Sequence, residues 1–300
     1  MTQPATEAPA PFFAEGADAP PQSHAVWRLA ADGVRLRLGS YGTGPRGTVL
    51  CFQGRTEYLE KYGPLARDLA AAGFGMVGVD WRGQGLSARL APDPRLGHIG
   101  RFADYQMDVA ALVAFAAEAG HAGPFHLLCH SMGGAIGLRA LAGGLAVTSA
   151  TFSAPMWGLT LSPPLRALSR LVPPLAEALG LGHRKAPGTG FRSYILDADP
   201  ADNLLTTDAA ALRGPTLHWL HEALTECRRL ETIALPDVPT LVFLGGHERI
   251  VDPGVIRRQA ARWPSARLVE LEAAEHEVLM ERPAIRSGIL ADLTGLIATS

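Results

Sequence analysis

Short apolar runs alternate with helical patterns along most of this chain, and that alternation sets the first expectation about its fold. "GTVLCF", "FGMVGVD", "PFHLLC", "AVTSATFS" and "PTLVFLGG" are apolar stretches of strand length, most of them bounded by Gly or Pro. Strands that read as apolar on both faces belong to parallel sheets covered by helices on both sides. Between them, "YLEKYGPLARDLAAAG", "FADYQMDVAALVAFAAEAG" and "MGGAIGLRALAGG" carry helical spacing, the first ending at Gly73 as a C-cap. A helix around 254–262, the run "ARLVELE" and a helix from about 283 complete the series. The expectation is an α/β fold with a mostly parallel central sheet and helices on both faces.

Three intervals depart from that rhythm. Residues 1–22, rich in Ala and Pro, read as a flexible N-terminal arm. "AVWRLAADGVRLRLGSYG" gives two short alternating runs about Asp32-Gly33, a hairpin signal. Residues 156–233 hold prolines, helical pieces and aromatics but no clear buried strand. They are expected to form a cap inserted between two sheet strands, leaving 23–155 and 234–300 as the core.

Composition narrows the function classes. With 300 residues and 47% hydrophobic content, the chain can bury one large core. Lys+Arg (27) nearly balances Asp+Glu (29) for a formal charge of −2, with no basic stripe, so a nucleic-acid partner is not expected. Cys51, Cys129 and Cys227 are odd in number and scattered, which gives neither a disulfide framework nor a zinc site. No HExxH or clustered His/Cys pattern occurs, so neither a metal nor another cofactor is expected. The N-terminus lacks the features of a secretory leader, and no apolar run reaches the roughly 18 residues of a membrane span. The expected location is cytoplasmic, with transient peripheral contact at the inner face of a membrane left open. Oligomeric state cannot be read from these patterns.

The candidate chemistry begins at "FHLLCHSMGGAIGLRALAGG", a buried strand running into a tight turn and a small-residue helix. Ser131 stands at the turn, either as a helix N-cap or as a nucleophile on a sharp corner. A serine hydroxyl needs a base to take its proton and an acid to orient that base. "LVFLGGHERIVDP" places Glu248 and Asp252 beyond the carboxyl end of a strand, the side of an α/β sheet where ligands bind. "LVELEAAEHEVLME" places His276 between the last strand and the last helix. Serine, then a carboxylate, then histidine, each at a strand end, is the chain order of a nucleophile-elbow hydrolase.

"CFQGRTEYLEKYGPLARDLAAAGFGMVGVDWRGQGLS", "CHSMGG", "GGHERIVD" and "EHEVLMERP" together resemble the α/β-hydrolase superfamily. The resemblance falls in the branch of lysophospholipases and monoacylglycerol lipases with serine-aminopeptidase-like motifs, and covers about residues 25–298. It implies Ser131 as nucleophile, His276 as base and Glu248, where the family's aspartate falls, as acid, with Asp252 as the alternative. It also implies oxyanion donors at the backbone N–H groups of Met132 and Arg55. Gln53-Gly54 stands where relatives carry His-Gly, and the Arg55 side chain either meets an anionic head group, is a solvated charge, or pairs with Glu57. Gln53 and Trp157 are the expected substrate contacts. Asp80, Arg82 and Ser87 of "DWRGQGLS" are expected to order the turns below the site, and His130 to pack nearby. Cys129 stands where a Gly is usual, and Gly133, Gly134 and Gly137 are the candidates for making room for it.

The implied activity is hydrolysis of a lipid ester, a lysophospholipid or monoacylglycerol, through an acyl-enzyme on Ser131. Two other readings stay open: a proline-iminopeptidase-like peptidase using cap acids such as Asp197, Asp199, Asp202 and Glu226, and a binding protein that kept the fold without the chemistry.

Overall fold

A computed structural model describes residues 8–161, 172, 175, 176, 178–186 and 212–299. The apolar runs form the expected sheet. Its strands are β1 (Ala8–Ala10), β2 (His24–Leu29), β3 (Arg35–Ser40), β4 (Thr48–Phe52), β5 (Gly75–Asp80), β7 (Phe125–His130), β8 (Ser149–Ser153), β10 (Thr240–Gly245) and β11 (Ala266–Leu271). They lie in the order β1-β2-β3-β5-β4-β7-β8-β10-β11. From β5 to β11 all neighbours are parallel, and the hairpin about Asp32-Gly33 supplies the antiparallel β2–β3 pair. The central strands β4, β5 and β10 are buried along their whole length, which is why they read as unbroken apolar runs. The edge strand β11 carries only partly buried and exposed positions.

The helices are α1 (Gly63–Ala71), α2 (Tyr105–Glu118), α3 (Met132–Ala142), α4 (Leu217–Leu230), α5 (Pro253–Ala261) and α6 (Pro283–Thr299). Gly73 ends α1 with φ of 88°, a conformation that glycine adopts without a Cβ penalty. A second, two-stranded sheet pairs β6 (Leu96–Gly97) with β9 (Gly214–Pro215). Sequence reading saw no strand in that interval, because a two-residue ladder leaves no periodicity to detect.

Residues 8–22 depart from the expected arm. Ala8–Ala10 pairs antiparallel with β2, Pro11 O accepts from the Arg37 guanidinium, and Ala17 is buried. Of the expected cap, 156–233, residues 162–171, 173, 174, 177 and 187–211 lie outside the described residues. In its last segment Thr216 caps α4, its hydroxyl accepting from Trp219 N, and Trp219 Nε1 donates to Tyr105 Oη at 3.1 Å. Among the described residues no helix is long and apolar enough to cross a membrane.

A polar group at the middle of the sheet fixes the loops on its carboxyl side. Arg37 lies fully buried, its Nε on Asp80 (2.8 Å) and its two terminal nitrogens on Glu60 (2.9 Å each). Asp80 also accepts from Leu86 N (2.7 Å) and Leu59 N (3.0 Å), tying the "DWRGQGLS" turn to the segment before α1. Ser87 accepts from Arg37 N and donates to Asp80 O, while Arg82 bridges Asp108 and Asp32. These are the turn-ordering roles read for Asp80, Arg82 and Ser87.

Candidate active site

Ser131 sits between β7 and α3 with φ 50° and ψ −116°, a region non-glycine residues rarely occupy. The conformation holds because both sides of the corner are tied. Ser131 N donates to Ser153 O at 3.0 Å, and its carbonyl accepts from Gly134 N and Met156 N at 2.8 Å each. The strained corner lifts the hydroxyl off the sheet toward the loops beyond β10 and β11.

Those two loops are locked together. Gly246 N donates to Leu271 O and His247 N to Ala274 O. They run so close that a Cβ on Gly245 would lie 2.3 Å from Glu275 O. Outside them, Arg249 pairs with Glu275 at 2.7 Å. Glu275 N donates to the buried Glu281 carboxylate at 2.8 Å.

The lock brings His276 between Ser131 and Glu248. Its Nε2 lies 2.9 Å from Ser131 Oγ and its Nδ1 2.7 Å from Glu248 Oε2. The other Glu248 oxygen accepts from Ile250 N (2.6 Å) and Val251 N (3.1 Å). The extra methylene of glutamate is absorbed by folding the side chain back onto its own loop. Burial alone would raise the Glu248 pKa, but the bonds from His276 and the two backbone amides outweigh it and the pKa is lowered. The site therefore presents an ionised acid, an imidazole and a hydroxyl in one relay. Asp252 lies apart from that relay: its Oδ1 caps α5, accepting from Gly254 N and Val255 N at 2.9 and 3.2 Å.

Two expected substrate contacts are corrected. Gln53 is buried, with Nε2 donating to Val79 O (2.6 Å) and reaching Asp80 Oδ1 (3.3 Å). Its side chain turns down into the sheet and ties two strand ends. Trp157 is also fully buried, donating to Gly134 O at 3.2 Å and packing on Phe152 and Trp263. It is core, supporting α3 from behind.

The loop after β4 is held from both sides. Gly54 N donates to the Glu57 carboxylate, and Gly54 O accepts from Gln84 Nε2 at 2.9 Å. Gly54 N–H is thereby committed, and the next amide along is that of Arg55. Met132, the other expected donor, opens α3 directly after Ser131.

Glu57 belongs to a buried charge cluster that sequence reading missed. Lys61 Nζ lies 2.5 Å from Glu57 Oε1 and 2.7 Å from Glu277 Oε2, and Tyr62 Oη donates to Glu57 at 2.7 Å. His130 Nε2 faces both carboxylates at 3.4–3.6 Å, and its ring centroid is 5.0 Å from that of His276. Glu57, His130 and Glu277 could in principle ligate a metal. The Lys61 ammonium already supplies the cation between the two carboxylates. The i,i+4 spacing of Glu57 and Lys61 was the available signal, but such pairs usually lie on solvated faces.

A parallel sheet, a serine on a strand-to-helix elbow and a His–carboxylate pair on the following loops define the α/β-hydrolase class. A family model described as "Serine aminopeptidase, S33" matches residues 43–283, and the chain belongs to that family. It is 35% identical over 272 residues to lysophospholipase L2 of Escherichia coli K12, covering 81% of this chain and 77% of that protein. The probable lysophospholipase L2 of Haemophilus influenzae is 30% identical over 259 residues, covering 82% of each chain. Among solved structures, a soluble variant of the Saccharomyces cerevisiae monoglyceride lipase matches with a TM-score of 0.73 at 19% identity, covering 91% of this chain and 94% of that one.

Proposed function

We propose that this chain is a serine hydrolase of carboxylic esters carrying one long acyl chain, as in lysophospholipids and monoacylglycerols. The observation that carries the reading is the unbroken relay Ser131–His276–Glu248 at 2.9 and 2.7 Å. The lysophospholipase relatives support the substrate class, since the likeness extends over four-fifths of both chains. The lipase likeness at 19% identity supports the fold.

In this mechanism His276 Nε2 takes the Ser131 proton as Oγ attacks the ester carbonyl. Glu248 holds the ring in the tautomer whose Nε2 is free to accept, and stabilises the imidazolium that forms. The tetrahedral oxyanion is met by the backbone N–H groups of Arg55 and Met132, donors fixed before the charge develops. His276 then protonates the leaving alcohol, and an acyl-enzyme remains on Ser131. Water, deprotonated by the same nitrogen, releases the fatty acid. Residues 156–233 would act as the cap that covers the acyl chain.

The peptidase reading draws less support. Glu226, one of the cap acids it would need for a substrate amino terminus, is held by Arg139. Asp197, Asp199 and Asp202 lie outside the described residues.

The test is a panel of lysophospholipids, monoacylglycerols, short p-nitrophenyl esters and aminoacyl arylamides, run with the intact chain and with Ser131→Ala. Ester turnover that vanishes in Ser131→Ala is expected, with no arylamide cleavage. Turnover of arylamides alone favours the peptidase. No labelling of well-folded protein by a fluorophosphonate, with no turnover, returns the chain to the binding-protein reading.

A further inference from the structure

Arg55 is half-buried and differs from the other shielded cations. Arg37, Lys61 and Arg82 each sit between two carboxylates, whereas Arg55 forms no ion pair among the described residues. Its Nε and Nη2 are shielded from solvent and have no hydrogen-bond partner. The expected pair with Glu57 does not form, because that carboxylate is taken by Lys61, Tyr62 and Gly54 N. The two shielded N–H groups have no acceptor, and buried donors are ordinarily bonded, so they offer a place for a ligand.

The surroundings show how that ligand would be met. The Arg55 guanidinium lies over the Trp219 ring, 4.8 Å from its centroid. Trp219 is itself fixed by its bond to Tyr105. Nη2 also lies against Gly97, where a Cβ would stand only 3.1 Å away. Stacking on one face holds the guanidinium plane, and a planar fork of N–H donors suits an oxyanion. Burial lowers its pKa only to about 10, so the group stays cationic at neutral pH.

Bond counting supplies the distance match. The amide of Arg55 is a proposed oxyanion donor, and the path from that nitrogen to Cζ has as many bonds as the path from the ester carbonyl carbon of a 1-acyl lysophospholipid to its phosphorus. In a substrate whose carbonyl oxygen meets the backbone of Arg55, the phosphate is separated from that carbonyl by the same number of bonds that the side chain spans.

We infer that the Arg55 guanidinium, stacked on Trp219, receives the head-group phosphate and makes a phosphate-bearing lysophospholipid the preferred substrate over a neutral monoacylglycerol. The inference rests on the ester-hydrolase reading and specifies its substrate. Arg55 acts here on selectivity through paired N–H donation to phosphate oxygens, which a lysine does not reproduce.

The experiment compares the full chain with Arg55→Met and Arg55→Lys. The first readout is the ratio of kcat/KM for a lysophosphatidylcholine to that for the monoacylglycerol of equal chain length. Loss of a charge-assisted phosphate contact should lower that ratio about tenfold or more in Arg55→Met, and less in Arg55→Lys. The second readout is binding of hexadecylphosphocholine, which has no ester, against the neutral 1-hexadecylglycerol and inorganic phosphate, by calorimetry. Wild type should bind the phosphocholine at least about tenfold more tightly than the glycerol ether, and Arg55→Met should lose that difference.

An unchanged kcat/KM ratio in folded variants, or equal wild-type affinity for the charged and neutral amphiphiles, overturns the inference. Inorganic phosphate binding as tightly as the phosphocholine overturns the lipid source, leaving a free-anion site. The wild-type comparison decides alone if the variants do not fold. Charge-selective binding without ester turnover would sink the hydrolase reading and leave the anion site standing.

Discussion

The Cys129 side chain occupies the space that a side chain at Gly137 would need: a Cβ there would lie 2.3 Å from Cys129 Sγ. Of the three helix glycines, this is the one that accommodates the cysteine. Gly133 is required instead by Phe52 O, 1.9 Å from its would-be Cβ, and Gly134 by Pro155. Burial pushes the Cys129 thiol well above its ordinary pKa, which keeps it protonated and leaves it a packing group rather than a thiolate.

That relationship predicts a coupled pair. Gly137→Ala should destabilise the fold by about 1–3 kcal/mol, the usual cost of overpacking a closed core. Cys129→Ala, which removes the sulfur, should recover part of that loss in the double variant. Urea unfolding of the four proteins gives the interaction free energy directly. Additive effects would mean that α3 relieves the contact some other way.

The two candidate acids should separate cleanly. Glu248→Gln keeps the shape but turns an acceptor facing His276 Nδ1 into a group that can donate. A drop in kcat of about two to four orders of magnitude is expected, by the logic of wrong-tautomer variants. Asp252→Asn, which alters the cap of α5, should change stability by about 1 kcal/mol or less and leave the pH–rate profile in place. Steady-state kinetics on one soluble ester suffices, and equal losses would dismiss Glu248 as the acid.

The cluster behind the relay predicts a stability profile in pH. Burial works to lower the His130 pKa, but the Glu57 and Glu277 carboxylates outweigh it and the value is raised. A raised folded-state value means stability fully present below the unfolded histidine pKa, about 6.5, and lost as pH rises through the folded one. Glu277 runs the opposite way. Burial raises it, yet Lys61 and His130 hold it well below the ordinary range, so its contribution is lost only as acid reaches that depressed value. Urea midpoints of wild type should therefore decline from pH 6 to pH 9 with a slope that His130→Asn reduces. Identical slopes would remove His130 from the network.

What was legible in the sequence was what depends on period and chain order. Buried parallel strands announce themselves as apolar runs, and Ser131, Glu248 and His276 follow strand ends that those runs locate. Side-chain direction was not legible. Gln53 and Trp157 follow the ends of β4 and β8, the strands on either side of the elbow strand, but one turns down to Asp80 and the other packs on Trp263. Glu57, Lys61 and Glu277 were invisible for another reason. Lys61 and Glu277 stand 216 positions apart, and a buried carboxylate and a solvated one look alike in sequence.

The Arg37–Asp80–Glu60 cluster connects the core to the site through that same loop system, and it supports the last prediction. Arg37 is 1% exposed and neutralises two carboxylates that are themselves 0% and 3% exposed. Removing the guanidinium leaves both charges buried together, and breaking a buried pair in this way costs about 3–5 kcal/mol. Asp80 also anchors Leu59 N and Leu86 N, so the relaxation should spread to the loop carrying Gly54 and Arg55. Arg37→Met is expected to lower the unfolding free energy by that amount. It should lower kcat for a soluble ester as well, since the oxyanion donor is no longer held in place. Arg37→Lys, which restores one charge but not the forked contacts, should fall between. A destabilised Arg37→Met with unchanged kcat would mean that the loop is held by Glu57 and Gln84 alone.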